Sequence, residues 1–195
     1  MVDILEGALE GLGCDRLLYC GSMDVAGTAD TLRVVVMSLG ERVVHIVDMT
    51  TRPGEAWMLQ VGRNLFDEES DTLASKRYLI TDRDAKYTQQ FRRLVEEGGT
   101  EVIRLPPMSP NLNAHAERFV RSIKDECLNR MIFFGQASLR RALGEFMAHY
   151  HDERNHQGLK NRLIRGIPSV AENEGAIHRR PRLGGMLNYY YRAVA

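Results

Sequence analysis

Apolar residues along this chain fall into short blocks with two different periods. Leu17 to Val25 is mostly apolar with a small polar interruption, and Leu32 to Leu39 and Val43 to Val47 are β-branched runs parted by Gly40-Glu41. This pattern predicts three strands in a meander with a tight second turn. After Arg52-Pro53-Gly54 the period lengthens. Ala56, Leu59, Gln60 and Arg63 alternate with Trp57, Val61 and Leu65 at helical spacing, with Pro53 suited to a first turn. Tyr78 to Thr81 reads as a short buried strand, Tyr87, Phe91, Leu94 and Val95 mark a helix over 86–97, and Glu101 to Leu105 returns to strand. Pro106, Pro107 and Pro110 then impose an extended loop.

Beyond that loop Ala116, Phe119, Val120, Ile123 and Cys127 recur at helical intervals, one buried stripe beside a second stripe of Glu117, Arg121 and Lys124. Leu139, Leu143, Phe146, Met147 and Tyr150 predict a further helix. The predicted order is βββαβαβαα, an α/β fold. Residues 152–195 are richer in charge, Gly and Pro and read as an irregular extension with a short helix after Pro168. The expected organisation is an N-terminal extension over 1–15, a core over 16–151 and a C-terminal extension over 152–195.

With 195 residues and 44% hydrophobic content, the chain can bury one sizeable core. No window reaches about 18 uninterrupted apolar residues, and the N-terminus lacks the regions of a signal peptide, so a cytoplasmic protein is expected without a membrane partner. Cys14, Cys20 and Cys127 are odd in number and lack paired C-x-x-C spacing, which argues against a disulfide framework or a zinc site. Lys plus Arg and Asp plus Glu are 26 each, so net charge does not announce a nucleic-acid partner. Its distribution must: Arg118, Arg121 and Lys124, then Lys160, Arg162 and Arg165, then Arg179, Arg180 and Arg182 are basic clusters, while Asp67, Glu68, Glu69 and Asp71 form an acidic run read as a solvated loop.

Three carboxylates carry the candidate chemistry. Asp24 closes the first strand, Asp82 ends the run Arg77-Tyr-Leu-Ile-Thr-Asp82, and Glu117 enters the helix after the proline loop. Acids from separate elements can hold two divalent ions about 3.5–4 Å apart, an arrangement suited to phosphodiester chemistry, and hard cations of the magnesium kind take oxygen ligands.

This order of strands and acids resembles the ribonuclease-H-like catalytic core of retroviral-type integrases and of bacterial insertion-sequence transposases, whose sheet is mixed and five-stranded. Asp82 and Glu117 are 35 residues apart, the interval of that family. Thr81-Asp82-Arg-Asp-Ala-Lys-Tyr87 is similar to the family's strand-end motif, Ser109-Pro-Asn-Leu-Asn-Ala-His-Ala-Glu117 to the approach to its catalytic Glu, and His149-Tyr-His-Asp-Glu-Arg-Asn-His156 to a run that follows, with Asn155 where Pro is usual. The likeness covers roughly residues 16–160. Asp30 and Asp48 compete with Asp24 for the first acid, since Met23-Asp24-Val-Ala-Gly lacks the usual aromatic flanks. Asp24 is preferred because it lies near the end of the first strand and about 20 residues before Val44.

The resemblance implies a DDE-type polynucleotidyl transferase. Asp24, Asp82 and Glu117 would hold two Mg²⁺, with Mn²⁺ able to substitute, for cleavage at an element's end followed by attack of the freed 3′-hydroxyl on target DNA. It further implies DNA as partner, an assembly of at least two copies, action at the bacterial nucleoid, and a helix-turn-helix region upstream, which only about 15 residues before the first strand leave to a possible separate subunit. Such a chain reads as a fragment, a truncated element or one product of a split reading frame.

Each residue also has a plainer role available. Asp84 is placed to cap a helix beginning near Ala85, and Asn113 to cap the next one. Arg121 and Lys124 are assigned to DNA phosphate contact over an exposed ion-pair face with Asp125 and Glu126. Asn111, which could instead order its loop, and Arg154 and His156 are further DNA-contact candidates. His149, His151 and His156 lack zinc-site spacing and read as packing or phosphate contacts, and Tyr189, Tyr190 and Tyr191 read as docked on the core rather than stacked on bases. Two rival functions stand beside transposition: a non-catalytic remnant that binds DNA or transposase subunits, and a ribonuclease-H-like nuclease or resolvase without strand transfer.

Overall fold

The computed structural model describes residues 17–24, 32–67, 76–105, 114–165 and 176–192, and gives only the backbone of Ser22, Asp24, Leu32 and Arg33. Val34, Val35, Val36 and Met37 are all buried, and a strand apolar on both faces belongs inside a covered sheet. That strand, β2 (Leu32–Ser38), lies between β1 (Leu17–Asp24) and β3 (Val44–Thr50), antiparallel to both. The expected tight turn is present: Arg42 takes φ 63°, Ser38 N–H donates to Val43 O at 2.8 Å, and the Ser38 hydroxyl donates to Glu41 at 2.9 Å. β4 (Tyr78–Thr81) pairs parallel with β1, and β5 (Glu101–Arg104) parallel with β4. The sheet order is β3-β2-β1-β4-β5, mixed and five-stranded as predicted.

Parallel neighbours need crossovers. Helix α1 (Glu55–Asn64) leads towards β4, and α2 (Gln89–Glu97) joins β4 to β5. One core cluster takes Leu18, Cys20, Val34, Val36 and Leu79 from the sheet, Met58, Val61 and Leu65 from α1 and the turn after it, and Tyr87, Phe91 and Val95 from α2 and its approach. Gly62 lets α1 approach α2: a Cβ there would stand 2.9 Å from Leu94 Cδ2. Pro53 falls outside the first turn, because Gly54 is the N-cap of α1.

Helix α3 (Ala114–Glu126) and α4 (Gly135–Asp152) complete the predicted order. Their apolar stripes are buried at Ala116, Phe119 and Ile123, and at Leu139, Leu143, Phe146 and Tyr150. The chain divides into two compact units, Met1–Val120 and Arg121–Ala195. Within the second, the expected irregular extension is corrected over its last described stretch. Ile177–Arg182 (β6) and Leu187–Arg192 (β7) form an antiparallel ribbon turned through Gly184 and Gly185, both at positive φ. The short helix expected after Pro168 lies outside the described residues.

Candidate functional site

Asp82 follows directly on β4, an interior strand between β1 and β5, at the carboxyl end where parallel strands open towards a ligand. Its turn is built from side chains. Asp82 Oδ1 accepts the Asp84 N–H at 3.0 Å, Asp84 Oδ1 accepts the Lys86 N–H at 3.0 Å, and Arg83 Nε donates to Leu105 O at 2.9 Å, which ties the turn to the residue after β5. Tyr87 Oη donates to Cys20 O at 3.0 Å and closes the turn onto β1. Asp84 therefore shapes the turn and caps no helix; α2 begins later, where the Thr88 hydroxyl accepts the Phe91 N–H at 3.3 Å.

Charge at this strand end is mixed. Lys86 Nζ, on a largely buried side chain, bonds Asp84 Oδ2 at 2.5 Å and stands 3.8 Å from Asp82 Oδ1. Burial pulls the Asp84 carboxyl upward, but the Lys86 ammonium and its backbone N–H outweigh that and leave it below the ordinary range. The side chain of Asp82 remains about a third exposed, at 34%.

Glu117 lies exposed in the first turn of α3, where an acid is favoured by the helix dipole. Arg121 and Lys124 follow one and two turns along the same helix, Arg121 exposed and Lys124 half-buried. Burial, then the Arg42 and Arg118 guanidiniums, hold His115 below its ordinary pKa.

The first acid is placed by backbone alone. β1 and β4 pair with Cys20 opposite Thr81. One further step along the parallel strands brings Gly21 level with Asp82, and Asp24 lies three residues beyond, about 10 Å at roughly 3.3 Å per residue. The Tyr19 ring lies over Gly21, where an added Cβ would meet Cε1 at 2.5 Å. Asp48 sits on β3 at the sheet edge, two strands from β1, where it accepts Trp57 Nε1 at 2.7 Å and its neighbour's N–H at 2.7 Å. Asp30, Asn111 and Asn113 lie outside the described residues.

Asp82 and Glu117 offer accessible carboxylate oxygens, the donor type a hard divalent cation takes. These residues fit such a cation. Among the described residues no three His, Cys, Asp or Glu side chains converge on one point.

The run from His149 to His156 is engaged within the second unit. Arg154 Nη1 binds both carboxylate oxygens of Glu126 at 2.7 and 2.8 Å. A ring nitrogen of His156 lies 2.8 Å from Tyr150 O, and burial, with Arg154 nearby, holds that imidazole below its ordinary pKa despite the bond. His149 Nδ1 is 3.2 Å from Glu153, whose buried carboxylate also takes Arg182 at 2.7 Å and Arg180 at 3.2 Å. The sequence reading missed Glu153 altogether, since nothing local marks an acid whose partners lie 27 and 29 residues away. Of the three C-terminal tyrosines, Tyr189 and Tyr191 are half-buried and stacked at 5.8 Å, whereas Tyr190 is exposed.

Comparison with known proteins gives three kinds of likeness. Residues 99–163 match the integrase core domain family. A stretch of 93 residues is 30% identical to an uncharacterized 39.2 kDa protein of insertion element IS476 from Xanthomonas euvesicatoria, covering 47% of this chain and 27% of that protein. The chain thus spans about a quarter of that relative's length. In fold, it is similar to the HTLV-2 integrase catalytic core domain in complex with magnesium, with TM-score 0.58, 10% identity and coverage of 77% of this chain and 93% of that one. It is also similar to the catalytic domain of Mos1 mariner transposase, with TM-score 0.56, 16% identity and coverage of 75% and 77%.

Proposed function

We propose that this chain, which has the ribonuclease-H-like fold of integrase and transposase catalytic cores and matches the integrase core domain family over residues 99–163, is a transposase core that cleaves a DNA strand and transfers it to a target. The observation that carries this reading is an acid at the carboxyl end of interior strand β4 followed, 35 residues later, by a second acid in the first turn of α3.

Asp24, Asp82 and Glu117 are the residues that would hold two divalent cations, Mg²⁺ or in its place Mn²⁺. Those ions would supply Lewis-acid polarisation of the phosphodiester and neutralise the charge developing on its oxygens. The chain's own part is positioning. The Asp84 N–H and the Arg83 tie to Leu105 fix the turn that carries Asp82. Arg121 and Lys124 continue the stripe of Glu117 along α3 and would take DNA phosphates, with Asn111, Arg154 and His156 as further contacts, Arg154 by exchanging Glu126 for a phosphate. The setting is the nucleoid of a bacterial cytoplasm, and the partners are element ends, target DNA and at least one further copy of the chain.

The register of β1 favours a second reading, in which the chain keeps the fold and its DNA contacts but no longer cleaves. The register ends with Cys20 opposite Thr81; one step on, Gly21, which brings no side-chain oxygen, comes level with Asp82, and Asp24 is three steps farther. Nicking of supercoiled plasmid separates the two readings. With Mg²⁺ or Mn²⁺, a cleaving core nicks, chelation stops it, and Glu117→Gln and Asp82→Asn each lower the rate at least about a hundredfold. Absence of nicking by a folded chain presented with its element ends would leave the second reading standing.

A further inference from the structure

We propose that the outward face of the β6–β7 ribbon is a DNA-contacting surface, with Arg179 taking a phosphate and Tyr190 stacking on an unpaired base. This deepens the reading of the chain as a DNA-acting core and rests on it for the choice of DNA as the polyanion.

Register separates the two faces of the ribbon, because cross-strand partners share a face and successive residues alternate. One set pairs His178 with Tyr191, Arg180 with Tyr189 and Arg182 with Leu187. This set is used internally. Arg182 and Arg180 bind Glu153, His178 and Tyr191 stack at 5.7 Å, and the Arg180 guanidinium lies 5.0 Å from the Tyr191 ring centre.

The other set pairs Ile177 with Arg192, Arg179 with Tyr190 and Pro181 with Asn188. Here Ile177 and Tyr190 are 64% and 62% exposed, and Arg179 is exposed beside Tyr190. Arg179 Nε donates to Asn188 Oδ1 at 2.7 Å, which fixes the plane of the guanidinium without using its terminal nitrogens in that bond. A solvent-facing tyrosine next to an oriented guanidinium pairs a π-face with a fork of donors, the combination that holds a nucleic-acid strand by base stacking and phosphate contact.

Charge selects the partner. Residues 176–192 contain no Asp or Glu. The zero net charge of the whole chain hides an asymmetry: residues 121–195 hold 13 Lys and Arg against 7 Asp and Glu, a net +6, and residues 1–120 hold 13 against 19, a net −6. The ribbon therefore belongs to a basic unit and presents Arg179 and an aromatic ring on a face to which its own strands bring no acid. Glu145 lines a pocket with Arg179 and Pro181, but its Oε2 accepts the Leu183 N–H, which leaves a surface that suits a polyanion with flat bases.

The test is fluorescence anisotropy of the full chain with labelled single-stranded and duplex oligonucleotides in a chelating buffer, so that the metal site plays no part. Arg179→Ala and Tyr190→Ala should each weaken single-strand binding at least about fivefold, and Tyr190→Phe should restore it. Arg179→Ala should also flatten the salt dependence by roughly one phosphate contact. Binding by both alanine variants within about twofold of wild type, with unchanged melting temperatures, would overturn the proposal, as would a change in self-association without a change in DNA binding. Absence of nicking by the folded wild-type chain, with the effects of Arg179→Ala and Tyr190→Ala on binding intact, indicts only the catalytic reading, whereas nicking that needs Mg²⁺ or Mn²⁺, with both alanine variants binding like wild type, indicts only this one.

Discussion

Cys20 and Tyr87 show how much a single hydrogen bond organises beside Asp82. Burial pushes the Cys20 thiol up to about 12, and the nearby Tyr87 hydroxyl is driven well above its ordinary value, first by burial and then by Cys20. Both groups stay neutral, and Tyr87 Oη donates to Cys20 O across 67 residues of sequence. The sequence placed Tyr87 on the stripe of a helix starting near residue 86, whereas it precedes α2 and serves the turn. Helical spacing could not reveal this, because Asp82, Asp84 and Thr88 all satisfy local N–H groups and only the three-dimensional turn decides which of them begins the helix. Tyr87→Phe should cost about 1 kcal/mol in denaturant unfolding, while Cys20, which stays buried and loses a hydrogen bond that lowers its pKa, should remain inert towards a thiol-specific reagent at neutral pH. Unaltered stability would mean the bond contributes nothing to holding the turn.

The ribbon marks the limit of what local pattern can tell at the level of the element. The strands of the sheet were legible because Val34 to Val36 and Tyr78 to Thr81 are apolar enough to signal burial unaided, and α3 and α4 because their stripes repeat. β6 reads Ile-His-Arg-Arg-Pro-Arg, exposed nearly throughout, and shows no alternation. Its order comes from pairing with β7 and from Glu153, whose bonds to Arg180 and Arg182 no apolar pattern signals. Glu153 is where the element can be tested. Burial raises its pKa, but hydrogen bonds from Arg182, His149 and Arg180 outweigh that and leave the folded value below the ordinary one. A depressed acid contributes its stability fully above its unfolded pKa of about 4.3 and loses it as pH falls through the lower folded value. Unfolding of the wild type followed by tyrosine near-ultraviolet dichroism should therefore weaken with acid below about pH 4.3. Glu153→Gln should be less stable by about 2 kcal/mol at neutral pH and show less of that acid dependence. Parallel pH profiles for the two proteins would remove Glu153 as the anchor of the ribbon.

Across the whole molecule, the order of elements and the family resemblance were both readable because they rest on spacing, a property of the chain itself. The candidate site was readable in part: Asp82 and Glu117 fall at a strand end and a helix start as the pattern required, while the place of the first acid depends on the register of β1 against β4, which slides by single residues without altering the apolar pattern much when both faces are buried. Total charge is silent where its distribution speaks, since the zero sum conceals +6 on residues 121–195, which hold most of the basic clusters, and −6 on residues 1–120. The separation makes a quantitative claim. If Arg121, Lys124 and Arg179 with one further cation of the basic unit each neutralise a phosphate, the affinity for duplex DNA should fall with a log–log slope in salt of about −3.6, or roughly a hundredfold between about 50 and 200 mM. A neutral protein acting as a uniform body would give a slope near zero. Replacing Arg121 and Lys124 together by Ala should shallow the slope by about two contacts, measured by anisotropy across a salt series, and a slope indifferent to both changes would take α3 out of the DNA interface while leaving the ribbon in it.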